Sequence, residues 1–361
     1  MMQVMKPYSE DLRISIVKAL RGGMSKSAAS RLFGVSLYSV IAGTEAGADR
    51  TAIEEKTMKG FDWEDRAEDI ERGLRLIPRL GEVMPEEAGE EVRAVYEAVR
   101  TRLHVPFVNF IFRMLANYPS YLSFAWNKIE SRLLTLHFEE AADALRARAL
   151  VEPVPDVAGV DWAALGDLDQ ICGFTDTIHY VLPKVLLVAS ALDEGLGGKP
   201  GAANSSSEAA IPPGVAESTT SLSMVATDEA TGSLKEIFEE IRERHGHPDV
   251  ASYYRGIAHW PRFLEAVWGR ISPLIDTAPY EERKRDLLAA SRNIVLELPL
   301  PSRSEAFQRG LTEEQVAELC AILAVFRFRI ISDMFLDVSL IKALLDGPEA
   351  ARYSRFSFAP R

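Results

Sequence analysis

Apolar residues recur every three to four positions through most of the chain, as at Val92, Val95, Tyr96 and Val99, and this spacing predicts amphipathic helices. No stretch shows the alternation of a half-buried strand. The pattern also occurs twice. "EEAGEEVRAVYEAVRTRLHVPFV" from Glu86 matches "DEATGSLKEIFEEIRERHGHPDV" from Asp228 without a gap, and the match continues through Pro119/Pro261, Leu122/Leu264 and Trp126/Trp268, always 142 positions apart. A further apolar region repeats less closely: "LDQICGFTDTIHYVLPKVLLVASALDEG" holds Cys172 and "VAELCAILAVFRFRIISDMFLDVSLIKALLDG" holds Cys320. The matching places of the cysteines point to a core role. Between the copies, "GLGGKPGAANSSSEAAIPPGVAESTTS" has the Gly, Ser and Pro content of a linker. The expected fold is all-α: two homologous helical-bundle repeats forming a pseudo-dimer within one chain. The expected segments are a linker or peripheral helix over 45–75, repeat 1 over 76–194, a linker over 195–224 and repeat 2 over 225–361. A ligand cleft between the repeats is natural for such a layout.

Composition narrows the function classes. The 361 residues are 47% hydrophobic and 26% charged, an ordinary globular balance. No run of about 18 apolar residues is free of charge, and the first residues lack a signal-type apolar region. No membrane association and a cytoplasmic location are therefore expected. Two isolated cysteines, and six histidines without an H-E-x-x-H pattern, speak against a disulfide framework, a Cys-rich zinc site or a redox pair. Neither a metal nor a cofactor is expected. The net charge of −12 is uneven: residues 1–44 carry six Lys/Arg against Glu10 and Asp11, so +4, which leaves −16 on the rest. An acidic body of that kind repels nucleic acid.

Residues 1–44 read as two or three short helices, with Ser9, Ser25 and Ser36 as caps and Gly22-Gly23 and Gly34 as breaks, the rhythm of a helix-turn-helix. Through "PYSEDLR" and "GMSKSAASRLFGVSLYSV" the segment resembles the N-terminal DNA-binding arm of insertion-sequence transposases. In that family the recognition helix runs on into basic and aromatic residues, whereas Ala42-Gly43-Thr44 follows in this chain. A severed fusion is the preferred reading, with Met58 a candidate start of the ancestral body. DNA binding through residues 1–44 is the alternative.

From about Leu76 to Phe358 the body resembles the group I 2-haloacid dehalogenases, the all-helical family acting on D- and L-substrates. The resemblance is carried by "RLHVPFVNFIFRMLANYPSYLSFAW", "EEAADALRARAL", "LPKVLLVASAL", "HWPRFL" and "LLDGPEAARYSRFSF". It implies a mechanism in which water attacks the substrate α-carbon and expels halide. Such chemistry needs a carboxylate base, donors for the substrate carboxylate and an apolar cradle for the halide. The family's base sits in a Ser-Asp pair, and the corresponding pair is Ser252-Tyr253. Its helper asparagine precedes Pro-Lys, where Leu182 stands. Pocket aromatics correspond to Phe107, usually Trp in the family, to Phe110, and, for a tyrosine, to Phe326. A phenol with a pKa of about 10 is neutral at pH 7 and a poor base, and Leu182 makes no hydrogen bond. The resemblance thus implies the scaffold without its polar catalytic pair.

Other residues carry competing readings. Asp249 lies four residues before Tyr253 and would share its face on a helix, as a base shifted by one turn. Equally, Pro248 and Asp249 suit the first turn of a helix. Ser252 suits a ligand carboxylate or the carbonyl of the preceding turn. Asn109, opposite Ala251 by repeat symmetry, is a cleft or solvated residue. Arg329 and Asp333 have the spacing of a buried ion pair. His179 and His259 lack partners at metal-ligand spacing, and Trp126 and Trp268 read as core. The leading expectation is a dehalogenase-like homologue with an altered site for a small (halo)carboxylic acid. The alternatives are a non-catalytic binding protein on the same scaffold, or a DNA-binding protein with the body as sensor. A homodimer stays open.

Overall fold

A computed structural model describes residues 66–199, 201 and 210–359. The helix-turn-helix expected over residues 1–44 lies outside them. The chain divides into two units, Met1–Asp62 and Trp63–Arg361. The described residues are helical, and their one β feature is an isolated bridge between Thr135 and Ala210.

The duplication is visible helix by helix. After α1 (Ala67–Leu80), the first copy runs α2 (Glu90–Leu103), α3 (Phe110–Leu115), α4 (Pro119–Leu133), α5 (Leu136–Arg148) and α6 (Leu168–Leu196). The second copy runs α7 (Gly232–His245), α8 (Ser252–Ile257), α9 (Pro261–Ile271) and α10 (Ala278–Val295). After the short α11 (Arg303–Gln308) come α12 (Glu313–Val325), a π-turn over Phe326–Ile331, and α13 (Ser332–Asp346). The starts of α2 and α7, α3 and α8, α4 and α9, and α5 and α10 are each 142 residues apart. Details repeat as well. Val83 N–H donates to Arg113 O, and Val225 N–H to Arg255 O, each at 3.1 Å. Phe112 meets Trp126 edge-on at 5.5 Å, and Tyr254 meets Trp268 likewise at 5.6 Å. Both tryptophans are buried.

Helices α2 and α7 end in the same left-handed cap, Gly246 in one and His104 in the other, both with φ 62°. A side chain there is strained. The His104 ring offsets this, its Nδ1 lying 2.6 Å from the Gly214 carbonyl.

The centre is α6 against α13, flanked by α5 and α10. The 29 residues of α6 are buried almost throughout from Ile171 to Leu196. It is long and apolar enough to cross a membrane, but 89% of its most apolar window is buried in protein, which makes it a core helix. Pro183 interrupts its ladder by removing the N–H that would bond to His179 O. The buried Arg146 of α5 fills that gap, with Nε 3.4 Å from His179 O and Nη2 3.0 Å from Tyr180 O.

Four expectations change. The boundary drawn at residue 75 falls inside α1, which packs on α12 so closely that a Cβ on Gly73 would lie 2.3 Å from Ala321 O. The connecting segment is a free linker only by composition: Ile211, Gly214 and Ala216 donate backbone bonds to Leu134, Thr101 and His104 of the first copy. The cysteines are half-buried, and burial pushes each thiol to about 11. Arg329 and Asp333 do not pair: the π-turn rotates Arg329 to solvent, while Asp333 is buried.

Candidate functional site

Helices α3 and α8 are six residues each and follow extended N-cap residues, Asn109 and Ala251. α3 packs on α12 of the second copy and α8 on α6 of the first. Each short helix thus packs on its own copy and also reaches the other. Gly256 permits the approach of α8, since a Cβ there would lie 2.6 Å from the Phe174 ring.

Between these elements lies a cavity of about 120 Å³. Phe107, Asn109, Phe110 and Arg113 line it from the first copy, together with Phe174, Ile178 and Leu182 of α6. Ala251, Ser252 and Tyr253 face them from α8. Phe326, Ile330 and Ile331 of the π-turn and Met334 of α13 complete the apolar wall. Ser221, Leu222 and Met224 of the connecting segment close one side.

The structure therefore brings Phe107, Asn109, Phe110, Leu182, Ala251, Ser252, Tyr253 and Phe326 together. It does not bring Asp249. Helix α8 begins at Ser252, so Asp249 precedes the helix instead of sharing a face with Tyr253, and Pro248 opens no helix. The Asp249 carboxylate is 51% exposed, accepts from Val250 N–H at 2.7 Å and lies 3.9 Å from Arg255. Sequence reasoning missed Arg113 and the connecting segment. The available signal was that Arg113 and Arg255 recur in both copies.

Tyr253 is 2% exposed and stacks on Phe174 with ring centroids 5.7 Å apart. Its phenol oxygen lies 2.9 Å from Thr175 Oγ1, and Thr175 Oγ1 lies 2.7 Å from Ile171 O one turn back. A threonine has one hydroxyl proton. Thr175 donates it to Ile171, so Tyr253 donates to Thr175 and keeps only lone pairs for anything else. Burial holds the phenol well above its ordinary pKa, so it stays neutral.

Asn109 is a residue type that normally caps a helix, yet its side chain makes no cap bond to α3. Its Oδ1 is buried with no hydrogen-bond partner among the described residues. Among the described residues, Arg113 is the one charged group that lines the cavity. Its Nε donates to Glu82 at 2.6 Å and its Nη1 to Val108 O.

Behind Tyr253, its neighbour Tyr254 enters a second environment. Tyr254 and Tyr280 donate to Asp337 at 2.7 and 2.9 Å, and Lys284 Nζ lies 2.5 Å from Asp333 Oδ1. Ligand-type atoms of His245, His247 and Asp333 lie within 4.8 Å of one another. Lys284 already supplies the cation there, so the group is a buried ion-pair network. Burial opposes protonation of both imidazoles. At His245 the Asp337 carboxylate outweighs it and raises the pKa, whereas His247 stays below its ordinary value.

A family model described as "Halocarboxylic acid dehydrogenase DehI" matches residues 106–254. The chain is 32% identical over 293 residues to a configuration-inverting 2-haloacid dehalogenase of Alcaligenes xylosoxydans xylosoxydans, covering 78% of this chain and 97% of the relative. It is 28% identical over 269 residues to an (R)-2-haloacid dehalogenase of Pseudomonas putida, covering 71% and 89%. Its fold is similar to that of a D-2-haloacid dehalogenase mutant in complex with D-2-CPA, with TM-score 0.63 and 26% identity over 74% of this chain and 96% of the other. It is equally similar to a D-2-haloacid dehalogenase in complex with L-LA, with TM-score 0.63 and 26% identity over 75% and 96%.

Proposed function

The chain belongs to the 2-haloacid dehalogenase family, and we propose that its inter-repeat cavity binds a small carboxylic acid without the base needed to hydrolyse it as its relatives do. One observation carries this reading: the described lining residues include a cation, Arg113, and hydroxyls such as Ser252, but no Asp or Glu. Arg113, although paired through Nε with Glu82, keeps positive charge at the wall of a largely apolar chamber, and the half-buried Ser252 hydroxyl can donate to a carboxylate. The aromatic and aliphatic walls accommodate the rest of a short acid.

Hydrolysis by direct attack requires a group that removes a proton from water as it attacks. Tyr253, at the position of the family aspartate, is neutral and already a donor to Thr175. Leu182, at the position of the family asparagine, cannot orient the water. Loss of a general base alone costs about 10²–10⁴ in rate. The remaining chemistry is binding and orientation of the acid.

Thermal melting in the presence of propionate and its 2-substituted derivatives tests the binding claim. Saturable stabilisation of the wild type, abolished by Ala251→Phe, which fills the cavity, is the expected result. No stabilisation by any short carboxylic acid overturns the reading.

A further inference from the structure

The cavity has one exposed border. Of its described lining residues only Ser221 and Met224 are exposed, and both belong to the irregular segment that connects the copies. Its mouth therefore lies under residues 221–224. This strap is pinned at both ends. Thr220 N–H donates to the buried Thr177 Oγ1 at 2.8 Å, and Val225 N–H donates to Arg255 O at 3.1 Å. Between the pins, the amides of 221–224 make no hydrogen bond among the described residues. The strap is tied there by the exposed His259, whose Nε2–H donates to Ser223 O at 2.9 Å, with Ser223 Oγ 3.1 Å away.

The first copy holds the same stretch more firmly. Residues 79–82 are the counterparts of 221–224, and Asn117 is the counterpart of His259. Asn117 Nδ2 donates to Gly81 O, also at 2.9 Å, so the latch itself is repeated. There, however, Arg79 and Leu80 end α1, which packs on α12, and Glu82 pairs with Arg113 at 2.6 Å. The second copy has no helix at Ser221 and Leu222, and Met224 stands where Glu82 stands. Arg255 turns its Nε to Val225 O at 3.0 Å instead. The strap thus shares the latch but neither the helix nor the ion pair. A segment with so few bonds opens locally at small cost.

We propose that residues 221–224 are the gate of the cavity, latched by His259, and that the Met224 side chain sets the width of molecule that passes. Met224 is 37% exposed while also lining the cavity, the position of a plug at a mouth. Its unbranched, flexible thioether bends aside for a slender molecule more readily than for a broad one. Entry by this route does not depend on which ligand the cavity holds.

A thiol placed inside the chamber reports each opening. The full chain carrying Leu182→Cys is treated with methyl methanethiosulfonate and with its benzyl counterpart, and modification at that residue is followed by mass spectrometry. Adding His259→Ala should speed methyl modification about fivefold, the worth of one hydrogen bond. Asn117→Ala, which removes the same bond in the first copy, should leave the rate unchanged. Met224→Ala should speed the benzyl reagent several times more than the methyl one. Ala251→Cys, on the facing α8 side of the cavity, serves as the reporter should Leu182→Cys fail to fold. Urea unfolding of each variant, measured alongside, separates opening of the gate from loosening of the whole body. Equal effects of His259→Ala and Asn117→Ala, or rates that follow global stability alone, would overturn the gate. Equal acceleration of both reagents by Met224→Ala would overturn the role given to Met224.

Discussion

Lys284 Nζ lies 2.5 Å from Asp333 Oδ1 inside the second copy, while His247 Nε2 lies 3.0 Å from the other oxygen of the same carboxylate. Burial alone would raise the Asp333 pKa, but the Lys284 ammonium, followed by His247, holds it well below the usual carboxylate range. Removing the ammonium strands a buried charge. Lys284→Met should cost about 3–5 kcal/mol in urea unfolding. Lys284→Met combined with Asp333→Leu should recover much of that loss. A single variant as stable as the wild type would show that the carboxylate is compensated elsewhere.

His179 gives the fold an acid sensitivity. It is fully buried, and burial followed by Arg146 pushes its pKa well below the ordinary histidine value, while its Nε2 lies 3.0 Å from Ala351 O. With the folded pKa depressed, its contribution is complete above the unfolded value of about 6.5 and declines as pH falls below that value towards the folded one. The melting temperature should therefore drop between pH 7 and pH 5. His179→Gln should flatten that part of the profile. An imidazole titrating near 6.5 by NMR would contradict the assignment.

Close helix contact at Gly256 sets the position of α8. Gly256→Ala would drive a methyl against the Phe174 ring and should destabilise by about 1–3 kcal/mol. The same change at the exposed Gly269, where a Cβ meets nothing within 4 Å, should have little effect or improve helix stability. Circular-dichroism melts of the pair check this, and equal effects would argue against tight α6–α8 packing.

Much of this arrangement is legible in the sequence, because duplication fixes relative positions. The 142-residue offset places Phe110 and Ser252 at equivalent helix starts, and both line the cavity. What escapes is non-local. An i,i+4 spacing pairs Arg329 with Asp333 only on a regular helix, and the π-turn removes that condition. The actual partner, Lys284, lies on α10, and its spacing carries no signal. Gly, Ser and Pro content marks a linker without showing that Ser221, Leu222 and Met224 dock against a cavity. Asp249 had the right spacing to Tyr253, but helix α8 starts too late for that spacing to matter.

Residues 1–44 carry a charge of +4 against −16 on the rest and have no counterpart in the 142-residue repeat. Deleting residues 1–57 should leave a cooperatively melting body with unchanged affinity for short carboxylic acids. Loss of the cooperative transition would assign that segment to the fold of the body.

The most direct test of a cavity that binds an acid but lacks a base is halide release from each enantiomer of 2-chloropropionate. The wild type should release none above the uncatalysed rate. Tyr253→Asp should restore measurable turnover, and Tyr253→Asp with Leu182→Asn should exceed either single change, because a base and the group that orients its water act as a unit. Rapid release by the wild type, undiminished in Tyr253→Phe, would contradict the account, since an unrecognised base would then have to face the cavity.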